Sequence, residues 1–268
     1  MGRKQKQSNL ELEYVYKMIK KSFYLVVFVL FFGCNSENGS DCFQASGAIV
    51  EVAFSVSGFS KIQIEGEVSL VIKQGPVQEV LLETGENLLK DVYVGVEGET
   101  LIIRDGNSCN LVRDYGITKA FVTAPNINEL RNSSSYDITS DGVLNFSELF
   151  LSSNTTGAVK DVKKGGDFYL SLDCETLRVS ANGQSVFYLS GTATTAAISF
   201  SDEIPRFEGA NLLIDELQFV QRSANKMIVN PQNKIAGVIY GTGDVISVNE
   251  PSIIEVEQLF TGQLIFQD

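Results

Sequence analysis

Histidine is absent from this 268-residue chain, so acid–base or nucleophilic chemistry would have to come from its carboxylates, its four cysteines and its nine tyrosines. That absence excludes Ser-His-Asp and Cys-His mechanisms, histidine-bound zinc and a histidine pH switch. A polysaccharide lyase or hydrolase would need two or more carboxylates, or a carboxylate-bound Ca²⁺ beside Arg or Lys, on one face. Asp137 and Asp141 are four apart, Asp161 and Asp167 flank Lys163-Lys164, and Asp202-Glu203 and Asp215-Glu216 are acidic pairs. None forms an Asp-x-Asp cluster or a calcium-loop spacing, so they read as a solvated acidic face. No catalytic, metal or cofactor site is expected. Lys163-Lys164-Gly165-Gly166 lacks the pattern of a phosphate-cradling loop.

The cysteines suggest other chemistry. Lys20-Lys21, ten apolar residues at 23–32 and then Gly33-Cys34 read as a secretion signal ending in a lipid-bearing cysteine. Ten residues span roughly 15 Å as a helix, half the hydrocarbon thickness, so the run is too short to cross a membrane. Phe31-Phe32-Gly33-Cys34 is similar to a bacterial lipobox, with Phe where Leu is usual. The alternative is an ordinary signal peptide with an incidental Cys34. Residues 1–17 are polar, and Met18 directly before the signal is the expected true start. Cys42 and Cys109 lie in polar, turn-like contexts and are candidates for a disulfide in an oxidising compartment. Cys174 reads as a free thiol, and no CxxC is present.

Tyr169, Tyr188 and Tyr240 occur on repeated apolar segments. Facing outward on neighbouring strands they would form a ladder able to hold a glycan; facing inward they would be core. Residues 194–200 and 212–214 are alternative exposed apolar patches for a protein partner. Tryptophan is absent, which weakens a stacked-aromatic sugar platform without excluding it.

The chain carries 21 Lys+Arg and 33 Asp+Glu. Removing residues 1–33, with six basic and two acidic residues, leaves 15 against 31, a formal charge of −16. Such a surface repels nucleic acid and anionic headgroups, so no nucleic-acid partner is expected.

The elements that must position these groups are strands. From Ile49 onward the hydrophobic period is 2: Ile62 and Ile64 share a face, as do Val68, Leu70 and Ile72, and Val92, Val94 and Val96. Turns fall at Gly66, Gly75-Pro76, Gly98 and Gly106. Leu88-Leu89-Lys90-Asp91 fits a single helical turn. After Pro125, short apolar strands alternate with Ser/Asn/Gly turns about every 20 residues, the spacing of stacked solenoid rungs. Ser133, Asn154, Asn182 and Asn225 fit corner positions. The pattern predicts an all-β, parallel β-helix; the competing antiparallel sandwich would show more hairpin dipeptides than Asn182-Gly183 and Asp141-Gly142.

The stretch from Phe59-Ser60-Lys61-Ile62-Gln63-Ile64-Glu65-Gly66 through a second strand to Gln74-Gly75 resembles the opening of the auto-transporter adhesin head GIN domain family. Glu86-Asn87-Leu88-Leu89, Thr100-Leu101-Ile102-Ile103 and Gly241-Thr242-Gly243-Asp244 are similar too. The Gly-Ile-Asn that names the family stands here as Gly66-Glu67-Val68, a departure that bears on assignment more than on mechanism. The resemblance covers roughly residues 47–268 and implies a right-handed parallel β-helix, exported and commonly lipidated, of Bacteroidetes-type envelopes. The expected organisation is an extension and signal at 1–33, a polar tether at 34–46 and one β-helix domain at 47–268. The expected role is a non-catalytic, adhesin-like module, held at the cell envelope by its lipid and binding a glycan or an envelope protein. The alternatives are a carbohydrate-active enzyme and a purely structural envelope component.

Overall fold

The computed structural model describes residues 41–267 apart from 108, 112 and 158–161, together with residues 18, 20 and 21. Cys34 and Asp161 lie outside the described residues. No described helix is long and apolar enough to cross a membrane.

Regular structure is nearly all strand. The first ten strands are short: β1 (Ile49–Phe54), β2 (Lys61–Gly66), β3 (Ser69–Gln74), β4 (Glu79–Gly85), β5 (Val92–Glu97), β6 (Thr100–Asp105), β7 (Lys119–Ala124), β8 (Glu129–Ser134), β9 (Ile138–Leu144) and β10 (Glu148–Ser153). Four long strands follow: β11 (Phe168–Ala181), β12 (Val186–Phe200), β13 (Arg206–Gln221) and β14 (Met227–Ile239). The chain closes with β15 (Val245–Ser247), β16 (Ile253–Gln258) and β17 (Leu264–Phe266). A 3₁₀ turn occupies Leu89–Asp91, where the sequence suggests one helical turn.

Alternation drives this arrangement. Successive side chains of a strand point to opposite faces, so every second apolar residue enters the interior. Ile62, Ile64, Val68, Leu70 and Ile72 are all buried. From β11 onward the strands pair in parallel with an offset of 17–21 residues. Phe168, Phe187, Phe207, Met227 and Val245 therefore align as one inner column, and each is fully buried. Leu149, Leu177, Ala196, Leu217 and Ile235 form another. The strands are longer than the sequence suggests because Ser171-Leu172-Asp173 keeps the alternation, and the β11–β12 ladder runs on through it, while β12–β13 and β13–β14 continue across register shifts.

All seventeen strands join one mixed sheet. Among the described residues, three of the sixteen pairings are antiparallel, β1–β4, β4–β7 and β5–β6, and all lie in the first half of the chain. After Pro125, where the repeat spacing points to parallel rungs, every described pairing between strands is parallel; before it the mixed sheet departs from the parallel β-helix expected over 47–268. The β5–β6 connection is the two residues Gly98-Glu99, which suits a hairpin, and Gly98 takes φ +63°. Gly66 (φ +76°) turns the chain between β2 and β3, and a Cβ there would collide with the Asp105 carbonyl.

A buried polar network fastens the first half. The Asp105 carboxylate accepts from the Asn107 backbone N–H at 2.8 Å, the Asn107 amide at 2.6 Å and the Thr118 hydroxyl at 2.5 Å. Thr118 in turn meets Thr84 at 2.9 Å. Cys42 and Cys109 are disulfide-bonded, with Cα atoms 4.5 Å apart. Cys174 is a free, buried thiol whose pKa burial raises to about 11.

Candidate functional site

The outer face of the same strands carries a second set of columns, and one is largely apolar. Val71, Thr139, Tyr169, Tyr188, Glu208, Ile228, Ile246 and Ile265 follow one another across adjacent strands. Each stands one residue after a member of the inner column, buried in every case but the half-buried Leu264, so the alternation that fills the core also puts this row outside. Leu70, Ile138, Phe168 and Phe187 go in where Val71, Thr139, Tyr169 and Tyr188 go out.

Tyr169 and Tyr188 form the centre of the row. Their rings stack at 4.6 Å and 8° between planes, and they are 42% and 39% exposed. Directly inside, Phe168 and Phe187 stack at 4.6 Å and 11°. The cause is local and visible in the sequence: Phe-Tyr-Leu-Ser at 168–171 recurs unchanged at 187–190, and the two copies pair residue for residue. This identical tetrapeptide sets Tyr169 and Tyr188 apart from Tyr240, which strand position alone does not do.

Tyr240 does not join the row. It follows β14, donates its backbone N–H to the Gln221 carbonyl at 2.8 Å, and lies under the Arg222 guanidinium at 5.9 Å. The β14 member of the tyrosine column is Ile228.

Carboxylates border the pair on one side. Asp137 accepts the Asp167 N–H at 2.9 Å, and Asp167 accepts the Val186 N–H at 2.7 Å, each pinning a strand start to the next. Burial raises the Asp167 pKa despite the hydrogen bond from Val186. The Tyr169 phenol is also raised, first by burial and then by Asp167 and Asp137. On the other side β9 bulges: Tyr169 to Ser171 opposes Thr139 to Val143, leaving Val143 59% exposed. Asp141, on the bulge, pairs with Lys73 at 2.8 Å.

The remaining acidic groups are dispersed. Glu203 pairs with Lys164 at 2.5 Å, and Asp202 accepts the Glu203 N–H at 2.9 Å. Glu216 lines a shallow trough of about 420 Å³ on the far stretch of β11–β14, with Arg178, Gln218 and Lys234 over Ala197 and Ala236. Among the described residues no group of three acidic or cysteine side chains is placed to hold a metal ion. The apolar patches suggested at 194–200 and 212–214 are not surfaces: Ala196, Ile198, Phe200, Leu212 and Ile214 are buried, and only Leu213 of the larger side chains points out. Both segments are strands with every second residue inside. At the corners, Asn154 donates to Ser180 at 3.0 Å and Asn182 to Thr155 at 2.8 Å, stitching adjacent turns.

These features define a class: an all-β protein whose strands stack largely in parallel and display side-chain columns on an outer face. The chain belongs to the family described as "Putative auto-transporter adhesin, head GIN domain", whose model matches residues 58–251. Among solved structures it is similar to a putative adhesin from Bacteroides fragilis NCTC 9343, at 18% identity and TM-score 0.74, covering 83% of this chain and 99% of that one. It is also similar to a putative lipid binding protein from Parabacteroides distasonis ATCC 8503, at 14% identity and TM-score 0.61, covering 83% and 98%. A putative adhesin from Parabacteroides merdae ATCC 43184 aligns at 13% identity and TM-score 0.59, covering 85% and 100%. At such identities the likeness concerns the fold. No curated protein matches the chain.

Proposed function

We propose that this chain is a non-catalytic binding module of the cell envelope, lipid-anchored through Cys34, whose single domain at 47–268 is a right-handed parallel β-helix. The thirteen parallel pairings support that architecture, and the antiparallel strands of the first half are its embellishment. Its ligand is a glycan or an envelope protein. Family membership supports the adhesin-like reading, while the fold alone would not, since one fold hosts many functions.

The observation that carries the proposal is the exposed Tyr169–Tyr188 stack within an otherwise acidic surface. Tyrosine presents a large apolar face and a polar tip at low entropic cost, which is why it is enriched where proteins bind. A ladder on a rigid sheet needs no ordering on binding.

The test has two arms. One is a glycan array with the full-length protein in detergent, scored for retention and cleavage; the other places a photo-crosslinker at Tyr169 of the full-length protein in living cells. Retention without cleavage, or one identified envelope protein cross-linked through Tyr169, supports a binding module. Cleavage of retained glycans, or neither retention nor cross-linking, overturns it.

A further inference from the structure

The Tyr169–Tyr188 stack is unfinished on one side. Stacking covers one face of each ring, and the free face of Tyr169 looks along the column over Thr139 towards Val71. Adjacent strands are about 4.8 Å apart, so Tyr169 and Val71 stand two spacings, roughly 9–10 Å, from each other with only the small Thr139 between them. A ring stacked on Tyr169 would be level with Thr139 and would continue the pile at its existing 4.6 Å repeat.

The borders of this notch differ in chemistry. Asp137 and Asp167 line one side; each accepts a backbone N–H, and Asp167 also accepts the Tyr169 phenol, which leaves further lone pairs on both carboxylates. The β9 bulge forms the other and pushes Val143 outward at 59% exposure. It contains Gly142 at φ +88°, where nothing lies within 4 Å of a would-be Cβ. Bulges of this kind re-aim side chains beside functional sites.

We infer that the notch over Thr139, walled by Tyr169 and Val71, is a stacking site for one neutral pyranose ring of a glycan. This rests on the binding-module reading above and names its ligand class. A pyranose offers an apolar C–H face to Tyr169 and hydroxyl donors to Asp137 and Asp167. The two carboxylates, with the net charge of −12, repel uronate or sialylated glycans and nucleotides alike.

The experiment compares the full-length protein with two variants on an array holding neutral glycans and uronate-containing glycans of matched length. Thr139→Tyr fills the notch with a third ring while leaving the stack intact. Glu208→Ala alters the opposite end of the stack. The expected result is retention of neutral glycans, weakened roughly tenfold or more by Thr139→Tyr and preserved in Glu208→Ala. Thermal melts confirm that each variant is folded. Retention of uronate glycans only, or of no glycan, overturns the inference. Retention of neutral glycans untouched by Thr139→Tyr also overturns it, while leaving the binding-module reading standing. A protein cross-linked at Tyr169 with no glycan retained does the same.

Discussion

Phe168 and Phe187 stack at 4.6 Å inside the sheet, directly beneath the outward stack of Tyr169 and Tyr188. The inner pair holds the outer one in register, since a slip of one residue would exchange the faces of all four rings. Phe187→Ala should cost about 3–5 kcal/mol, because the ring is fully buried and touches both Phe168 and Phe200. Urea unfolding of the full-length protein checks this; a loss below about 1 kcal/mol would show that the inner column is not tightly packed.

The Cys42–Cys109 bridge closes 67 residues of sequence that include β1 to β6. Constraining a loop of that length in the unfolded chain is worth about 4 kcal/mol. Reduction, or the double Cys42→Ser/Cys109→Ser variant, should lower the denaturation midpoint accordingly. Hydrogen exchange should rise most in β1 and residues 105–118, with β11–β14 little changed.

Asp105 satisfies three donors within the buried network. Asp105→Ala takes the acceptor from three buried donors, leaving Thr118 to Thr84 and the Asn107 amide to the Leu88 carbonyl at 3.3 Å, and should cost about 2–3 kcal/mol. Thr118→Val removes a single donor and should cost less, in the same denaturation assay.

Cys174 makes stability depend on pH. Burial raises its thiol from 9.0 to about 11, so the folded state holds the proton more tightly than the unfolded chain. The resulting stability is fully present below pH 9 and is lost as pH rises through 11, a total of about 2–3 kcal/mol. Cys174→Ala should flatten that part of the curve relative to the native protein. Equal slopes for the two between pH 9 and 11 would contradict the assignment. The native thiol should also react slowly with Ellman's reagent at pH 8.

Much of this fold is written in short-range pattern. Ile62 with Ile64, and Val68 with Leu70 and Ile72, reveal their buried face by alternation alone, because a strand has only two sides. The antiparallel placement of β4 between β1 and β7 is not legible that way. Val80 and Leu82 are buried in either strand direction, and direction is set by distant partners. Tyr169 and Tyr188 could be picked out from strand position, but Tyr240 could not be excluded. Its neighbour Arg222 becomes apparent only once β14 is seen to end at Ile239. The notch over Thr139 depends on a bulge in β9, and bulges leave little trace beyond a glycine such as Gly142.

The most direct measurement compares glycan retention by the native full-length protein and by the Tyr169→Ala/Tyr188→Ala double variant on one array, with a melting curve for each. Both side chains are outward and partly exposed, so the melt should shift little. If the stack is the binding surface, retention falls by at least about tenfold and every retained glycan is recovered uncleaved. Undiminished retention by a folded double variant, or glycans recovered in fragments, would contradict a non-catalytic module that binds through Tyr169 and Tyr188.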